Sequence, residues 1–224
     1  MNKLIYNLGV SRRATKIYNG EIVDNKHIEY IIDCAIQAPT SIGLQNFRIL
    51  NFKKSMVSDF EKNATNGDQP KGASNIIVFV TPNEKGSHNK NNKNLVHFVD
   101  DMTKSIAKMK NVEWKKESSE SLKKYIYGNV KPELHINNEQ YYKKQTYISL
   151  GFALLGAEEI NVKTTPVEGV NVHKFDEWAR KKGYINDEET FSVAMWIGKT
   201  DDKLTTNIPG RFRKIKEMIV TNIE

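Results

Sequence analysis

The chain is poor in the features by which many enzymes announce themselves. A single cysteine, Cys34, stands in 224 residues, which excludes an internal disulfide framework. Its neighbours follow a helical apolar pattern, so the thiol is expected in the core. No apolar run approaches the roughly eighteen residues that suggest a membrane span. The opening Met1-Asn2-Lys3-Leu4-Ile5-Tyr6-Asn7 lacks the apolar segment of a secretory signal. No membrane association is expected, and the cytoplasm is the expected compartment. There is no G-x-G-x-x-G, no G-x-x-x-x-G-K-[ST], no H-E-x-x-H and no G-x-S-x-G. These absences disfavour a Rossmann dehydrogenase, a P-loop NTPase, a zinc hydrolase and an α/β-hydrolase. His135 and Glu139 lie four apart and read as a surface pair; no metal site is expected.

What is present is charge and two kinds of apolar pattern. Lys and Arg total 34 against 27 Asp and Glu, a net charge of +7 and a pI near 9.2. That excess suits a nucleic-acid surface, an anionic lipid surface or a site for a phosphorylated small molecule. Lysines are spread throughout, and zinc-finger spacing, RNP-like aromatic runs and zipper heptads are missing, so nucleic acid is the weaker alternative. The length suits a single domain over 1–224 rather than two.

Taken in order, residues 2–10 predict a short helix, followed by the basic cluster Arg12, Arg13, Lys16, with Ala14 and Thr15 between. Several donors here can converge on one phosphate or carboxylate; a solvated basic patch is the plain alternative. Asp24 opens a helix with Ile28, Ile31, Ile32 and Ala35 on one face, ended by Pro39. The loop Ala38-Pro39-Thr40-Ser41-Ile42-Gly43-Leu44-Gln45-Asn46 offers neutral polar groups before a strand over 47–52. A helix over 56–64 precedes the strand 75–81, whose unbroken apolar run predicts a centre covered on both faces. The segment 82–94 reads as a surface loop, and 95–144 as a polar helical excursion suited to cover a pocket.

Thr146 to Ala157 is apolar or small all round, which predicts a helix buried in a core or at a subunit interface. Extended residues 162–165 lead into Pro166-Val167-Glu168-Gly169, read as a turn that presents its amides outward. A helix over 172–182, a strand over 191–198 and a late basic cluster, Pro209-Gly210-Arg211-Phe212-Arg213, precede a final helical segment.

In combination, Arg12-Arg13-Ala14-Thr15-Lys16, Ala38-Pro39-Thr40-Ser41-Ile42-Gly43-Leu44-Gln45, Ala73-Ser74 before Ile76, Gln145, Pro166-Val167-Glu168-Gly169 and Trp196-Ile197-Gly198 resemble the FMN-dependent nitroreductase family. The likeness is to its oxygen-insensitive NAD(P)H nitroreductase and dihydropteridine reductase branch. It implies an α+β fold, a mainly antiparallel central sheet wrapped by helices, and an intertwined homodimer with residues 207–224 packing on the partner. By the resemblance, Arg12, Arg13, Arg211 and Arg213 hold the FMN phosphate and Lys16 approaches the pyrimidine edge. Ala14 stands where relatives often carry serine, and Gln69 where some carry lysine. Thr40, Ser41 and Ile42 come from the partner to line the ring and ribityl chain, Pro39 is counted with the cofactor-binding residues, and Asn66, Gln69 and Gln145 serve the flavin's polar atoms. Pro166 and Val167 aim the Glu168 and Gly169 amides at N5 and O4. Ile42 and Tyr127 line the oxidant pocket.

The activity so implied is transfer of hydride from NAD(P)H through flavin N5 to a small organic oxidant, nitroaromatic, quinone or pterin-like, in ping-pong fashion at one shared site. No side chain need act as nucleophile, because FMN carries the chemistry. The same fold with another flavin task, dehydrogenation or dehalogenation, is the second reading, and a basic nucleic-acid module the third.

Overall fold

Two strands whose every residue is buried form the centre, β2 (Asn75–Pro82) and β4 (Glu189–Gly198). They pair antiparallel, Ile76 opposite Trp196 and Ile77 opposite Met195. In this computed structural model, residues 3–89, 93–129, 138–201 and 213–223 are described, with side chains except at positions 42, 88, 93–98, 126–129 and 138. β1 (Arg48–Lys53) and β3 (Lys163–Val167) flank the centre in the order β1-β2-β4-β3, and every pairing is antiparallel. The expected mainly antiparallel sheet is what the chain forms.

Because successive strand residues face opposite sides, the sheet sorts its apolar residues into two layers. Ile76, Val78, Val80 and Trp196 join Phe60 of α3 (Lys54–Ala64) and Phe175 and Trp178 of α8 (Val172–Lys181). Ile77, Phe79, Met195 and Ile197 face α2 (Asn25–Ile36), through Ile28, Ile31 and Ala35, and α7 (Asn138–Glu159), through Leu150, Ala153 and Ala157. Cys34 is half-buried in α2, where Gly156 of α7 makes room for it: a Cβ there would lie 2.5 Å from the sulfur.

Several expected boundaries shift. α7 starts at Asn138, well before Thr146, and it is not buried all round: Tyr147, Ile148 and Phe152 are exposed. Beside it α1 (Leu4–Ser11) exposes Leu4, Ile5, Tyr6 and Val10. The expected loop 82–94 contains α4 (Glu84–His88), capped by the Asn83 side chain, which accepts the Gly86 N–H at 2.9 Å. Gly86 within it permits close approach, since a Cβ would lie 2.2 Å from the Glu188 carbonyl oxygen.

The helical excursion is real as α5 (Lys93–Met109) and α6 (Lys116–Asn129). The final helical segment is not: among the described residues the tail holds only a 3₁₀ turn, Lys216–Met218, with Ile215, Ile219, Val220 and Ile223 exposed. So short a stretch without packing cannot offset helix nucleation. Among the described residues no helix is long and apolar enough to cross a membrane.

Candidate functional site

The site is built on the outer edge of β3. α1 ends at Ser11, and Arg12 turns out of helical conformation while its N–H still closes the helix on the Leu8 carbonyl at 3.0 Å. Arg13 folds back, its Nη1 donating to the Val10 carbonyl at 3.0 Å, where the negative end of the helix dipole favours a cation. The chain then runs parallel to β3. Ala14 bridges Thr164, the Thr15 N–H reaches the Thr164 carbonyl at 3.3 Å, and the Thr165 hydroxyl donates to the Thr15 carbonyl. The chain bends at the exposed Lys16, two residues past this bridge.

Tyr18 anchors this segment, and sequence reading did not single it out. Its buried hydroxyl lies 3.1 Å from Thr165 Oγ1 and donates to the Trp196 carbonyl at 3.0 Å. Burial holds its pKa well above the usual phenol value. Its ring occupies the space left by Gly198, where a Cβ would lie 2.7 Å from it. The loop carrying Asn66 and Gln69 is laced to the same segment: the Lys71 N–H donates to the Lys16 carbonyl at 3.1 Å, and the Tyr18 N–H to the Lys71 carbonyl at 2.8 Å. Gln69 is half-buried. Asn66 is exposed, and its Oδ1 accepts from Lys174 Nζ at 3.0 Å.

Pro166 and Val167 belong to β3 rather than to a turn, which corrects the expected boundary. The reason lies in strand alternation. Thr164 directs its carbonyl outward to Thr15, so Pro166 also faces the outer edge, where its missing N–H costs no ladder bond. Glu168 shares that outward parity. The turn itself is Glu168-Gly169, closed by the Val170 N–H on the Glu168 carbonyl at 2.7 Å, a three-residue γ-turn. Val170 bridges Thr65, which fixes the far side. Among the described residues, neither the Glu168 nor the Gly169 N–H donates to a backbone carbonyl. The Glu168 carboxylate accepts the Tyr147 hydroxyl.

A second group of expected residues stands elsewhere. Pro39 is exposed, and the Thr40 hydroxyl oxygen accepts the Gln45 N–H at 3.0 Å. Ser41 opens a 3₁₀ turn, Ser41–Gly43, and its N–H donates to Gln145 Oε1 at 2.8 Å. Gln145 thus belongs with Ser41. It and Tyr147 are two residues apart on α7, hence separated by about 200° around the helix. The loop at Ser41 and the turn at Glu168 therefore meet opposite sides of α7.

Arg213 is exposed in the tail. Arg211 and His135, and the side chains of Ile42 and Tyr127, lie outside what the structure describes. Among the described residues no group of three or more His, Cys, Asp or Glu is placed to hold a metal. What the first group offers is a strand end whose Glu168 and Gly169 amides donate to no backbone carbonyl among the described residues, with a segment carrying three cationic residues running along the same edge: an arrangement for an anion and the acceptor atoms of a flat ring.

The family model described as "Nitroreductase family" matches residues 10–199. A "Putative NAD(P)H nitroreductase" of Staphylococcus saprophyticus is 24% identical over 194 residues, covering 83% of this chain and 82% of that one. Among solved structures, a Staphylococcus epidermidis protein described as a "putative NAD(P)H:FMN oxidoreductase" superposes with a TM-score of 0.74 at 15% identity, covering 100% of this chain and 97% of that one. A nitroreductase-like protein of Streptococcus mutans gives 0.71 at 17% identity, with 98% of each chain covered. With the family model spanning both the cationic segment and the Glu168-Gly169 turn, the chain belongs to the nitroreductase family.

Proposed function

We propose that the protein is an FMN-dependent oxidoreductase that takes hydride from NAD(P)H and delivers it to a small organic oxidant, nitroaromatic, quinone or pterin-like, in ping-pong fashion. The observation that carries this reading is the Glu168-Gly169 turn, whose amides donate to no backbone carbonyl among the described residues, at the end of the strand along which the Arg12 to Lys16 segment runs. That donor set fits FMN: a dianionic phosphate needs cations, and the ring edge needs donors at fixed positions. Bound there, FMN would supply the two-electron hydride chemistry that no side chain of the chain provides.

The residues then divide the work. Arg12 and Arg13 would neutralise the phosphate, with Arg211 and Arg213 of the tail added to them. The Glu168 and Gly169 amides would orient the ring at N5 and O4. Lys16, two residues past the Ala14–Thr164 bridge, would lie at the pyrimidine edge, where a cation favours the negative charge taken up on reduction. Asn66 and Gln69 would meet polar atoms from the laced loop.

Pro39, Thr40, Ser41, Ile42 and Gln145 would serve the site of a second copy. Their place across α7 from the Glu168 turn supports that division, because one chain would have to reach around its own helix to supply both groups. The exposed apolar faces of α1, α7 and the tail support a homodimer. Ile42 and Tyr127 would line the oxidant pocket.

The test is the absorbance spectrum of the purified protein, with the acid-released cofactor identified by chromatography. Steady-state reduction of nitroaromatics, quinones and pterins with NADH and NADPH follows. A flavin-bound protein that turns over none of these acceptors would sink the reductase reading while leaving the cofactor. A colourless protein that takes up no FMN and is held on DNA or RNA in a salt-sensitive way would replace it with the basic binding module.

A further inference from the structure

We infer that Tyr147 is a positioning residue for the Glu168-Gly169 turn: its hydroxyl holds the Glu168 carboxylate, which fixes the turn and its two amides and keeps the acid away from Lys16. The inference rests on the FMN reading for its functional consequence, and on the structure alone for the bracing.

The support of this contact is rigid. Tyr147 follows Thr146, which is buried and whose Oγ1 lies 2.7 Å from Ser192 Oγ on β4 and donates to the Lys143 carbonyl at 2.7 Å. Leu150 and Ala153, one and two turns on, are packed against the sheet. The rotation of α7 about its axis is therefore set where Tyr147 leaves it. The turn, by contrast, is loosely determined. Val167 is the last residue in the ladder and Val170 the next one bridged, so Glu168 and Gly169 span the gap with one γ-turn bond between them. Among the described residues the Tyr147 hydroxyl is the one hydrogen-bond donor given for the Glu168 side chain. Partial burial and the facing carboxylate both raise the Tyr147 pKa, so the phenol keeps its donor proton throughout the neutral range.

The alternative partners of a released Glu168 decide what the contact does. A carboxylate on a turn competes for nearby N–H groups, here those of its own turn. It is also attracted to Lys16, which stands two residues past the Ala14–Thr164 bridge on the neighbouring segment. Either move would remove a donor or a cation from the ring edge. Neutralising that cation disfavours negative charge on the ring and so lowers its reduction potential.

The experiment compares the wild type with Tyr147→Phe, Glu168→Gln and the double variant. Fluorescence quenching gives FMN affinity, dye equilibration gives midpoint potential, and hydrogen exchange of FMN-free protein follows the amides of Glu168, Gly169 and Val170. Tyr147→Phe is expected to weaken FMN binding about tenfold, the scale of one hydrogen bond to a charged group. It should also shift the potential negative and speed exchange at the turn, and the potential shift should vanish when the change is made in Glu168→Gln. Unchanged potential and exchange, or a shift that persists in the Glu168→Gln background, overturns the inference. Failure of the wild type to take up FMN would refute the cofactor reading instead, and the exchange comparison would still decide whether Tyr147 braces the turn.

Discussion

Tyr18 shows how one residue can set up a site that it need not touch. With its hydroxyl between Thr165 and the Trp196 carbonyl, it fixes the segment that carries Lys16 onto β3. Removing that hydroxyl in Tyr18→Phe leaves buried acceptors short of a donor, at a cost of about 1–3 kcal/mol in urea unfolding. The raised phenol pKa gives a pH signature whose sign can be worked out. The folded state binds the proton more tightly than the unfolded chain does. Stability is therefore complete below the ordinary value near 10.0 and declines as pH rises beyond it, towards the folded value. Tyr18→Phe should lose that alkaline decline, and denaturation profiles at pH 8 and above would show it.

Gly72 supports the same segment. It has φ +77, and a Cβ would lie 2.5 Å from the Tyr18 carbonyl oxygen, so Gly72→Ala combines backbone strain with overlap. We expect a loss of about 1–3 kcal/mol and weaker FMN retention, because the Lys71 pairing that holds Lys16 is disturbed. At this scale Arg12, Arg13 and Lys16 stood out in the sequence by their shared chemistry, while Pro and Gly at 166–169 pointed to a turn that the structure confines to Glu168-Gly169. Tyr18 gave no signal, because it stands alone in a polar stretch and its partners lie 147 and 178 residues away.

Among elements, the legible ones are those with sustained periodicity or unbroken apolar character: α2, α3, α8 and the two central strands. The misread ones depend on contacts that periodicity does not encode. α4 is five residues held by a side-chain cap and a close glycine contact, and the early part of α7 is polar. The α5–α6 hairpin was expected as helical, but the polar cluster that ties its two helices together beside the apolar contacts of Val99 and Leu122 was not foreseen. Asp100 accepts from Ser119 at 2.6 Å and pairs with Lys123 at 2.9 Å, while Ser119 lies 2.9 Å from Thr103, which takes the Trp114 indole N–H at 3.0 Å.

The Ser119 hydrogen bond first, and then Lys123, hold the Asp100 carboxyl below its usual range. A depressed carboxylate adds stability that is present above the unfolded value, about 3.9, and is lost as pH falls through the folded one. Hydrogen exchange of α5 and α6 should therefore accelerate below about pH 4. In Asp100→Asn the hairpin should be weaker at neutral pH and less sensitive to acid. An acid dependence identical in wild type and variant would show that Asp100 is not the group responsible.

For the molecule as a whole, the sheet and its two layers were legible, and what one chain leaves uncovered explains the remainder. The all-round apolar character of Thr146 to Ala157 reported a helix with more apolar surface than its own chain covers. Ile148 and Phe152, four apart and so on one face, are 42% and 41% exposed, and the neighbouring α1 exposes Leu4, Ile5 and Val10. β1 forms one edge of the sheet and pairs with β2; beside it is a cavity of about 480 Å³ lined mainly by Ile32, Ile36, Phe47 and Ile49. An edge with no further strand beside it among the described residues, next to an apolar groove, is suited to receive an extended segment, and the tail supplies one rich in exposed Ile, Met and Val. If a second copy's tail lies there, deleting residues 215–224 should dissociate the dimer in sedimentation equilibrium and lower FMN retention together. The coupling follows because the Ser41 loop of each copy would no longer reach the other's Glu168 turn. Phe152→Lys, which buries a charge at the same seam, should act in the same direction without shortening the chain. A truncated protein that stays dimeric with two FMN bound would show that α1 and α7 alone hold the copies together, and that the tail lies elsewhere.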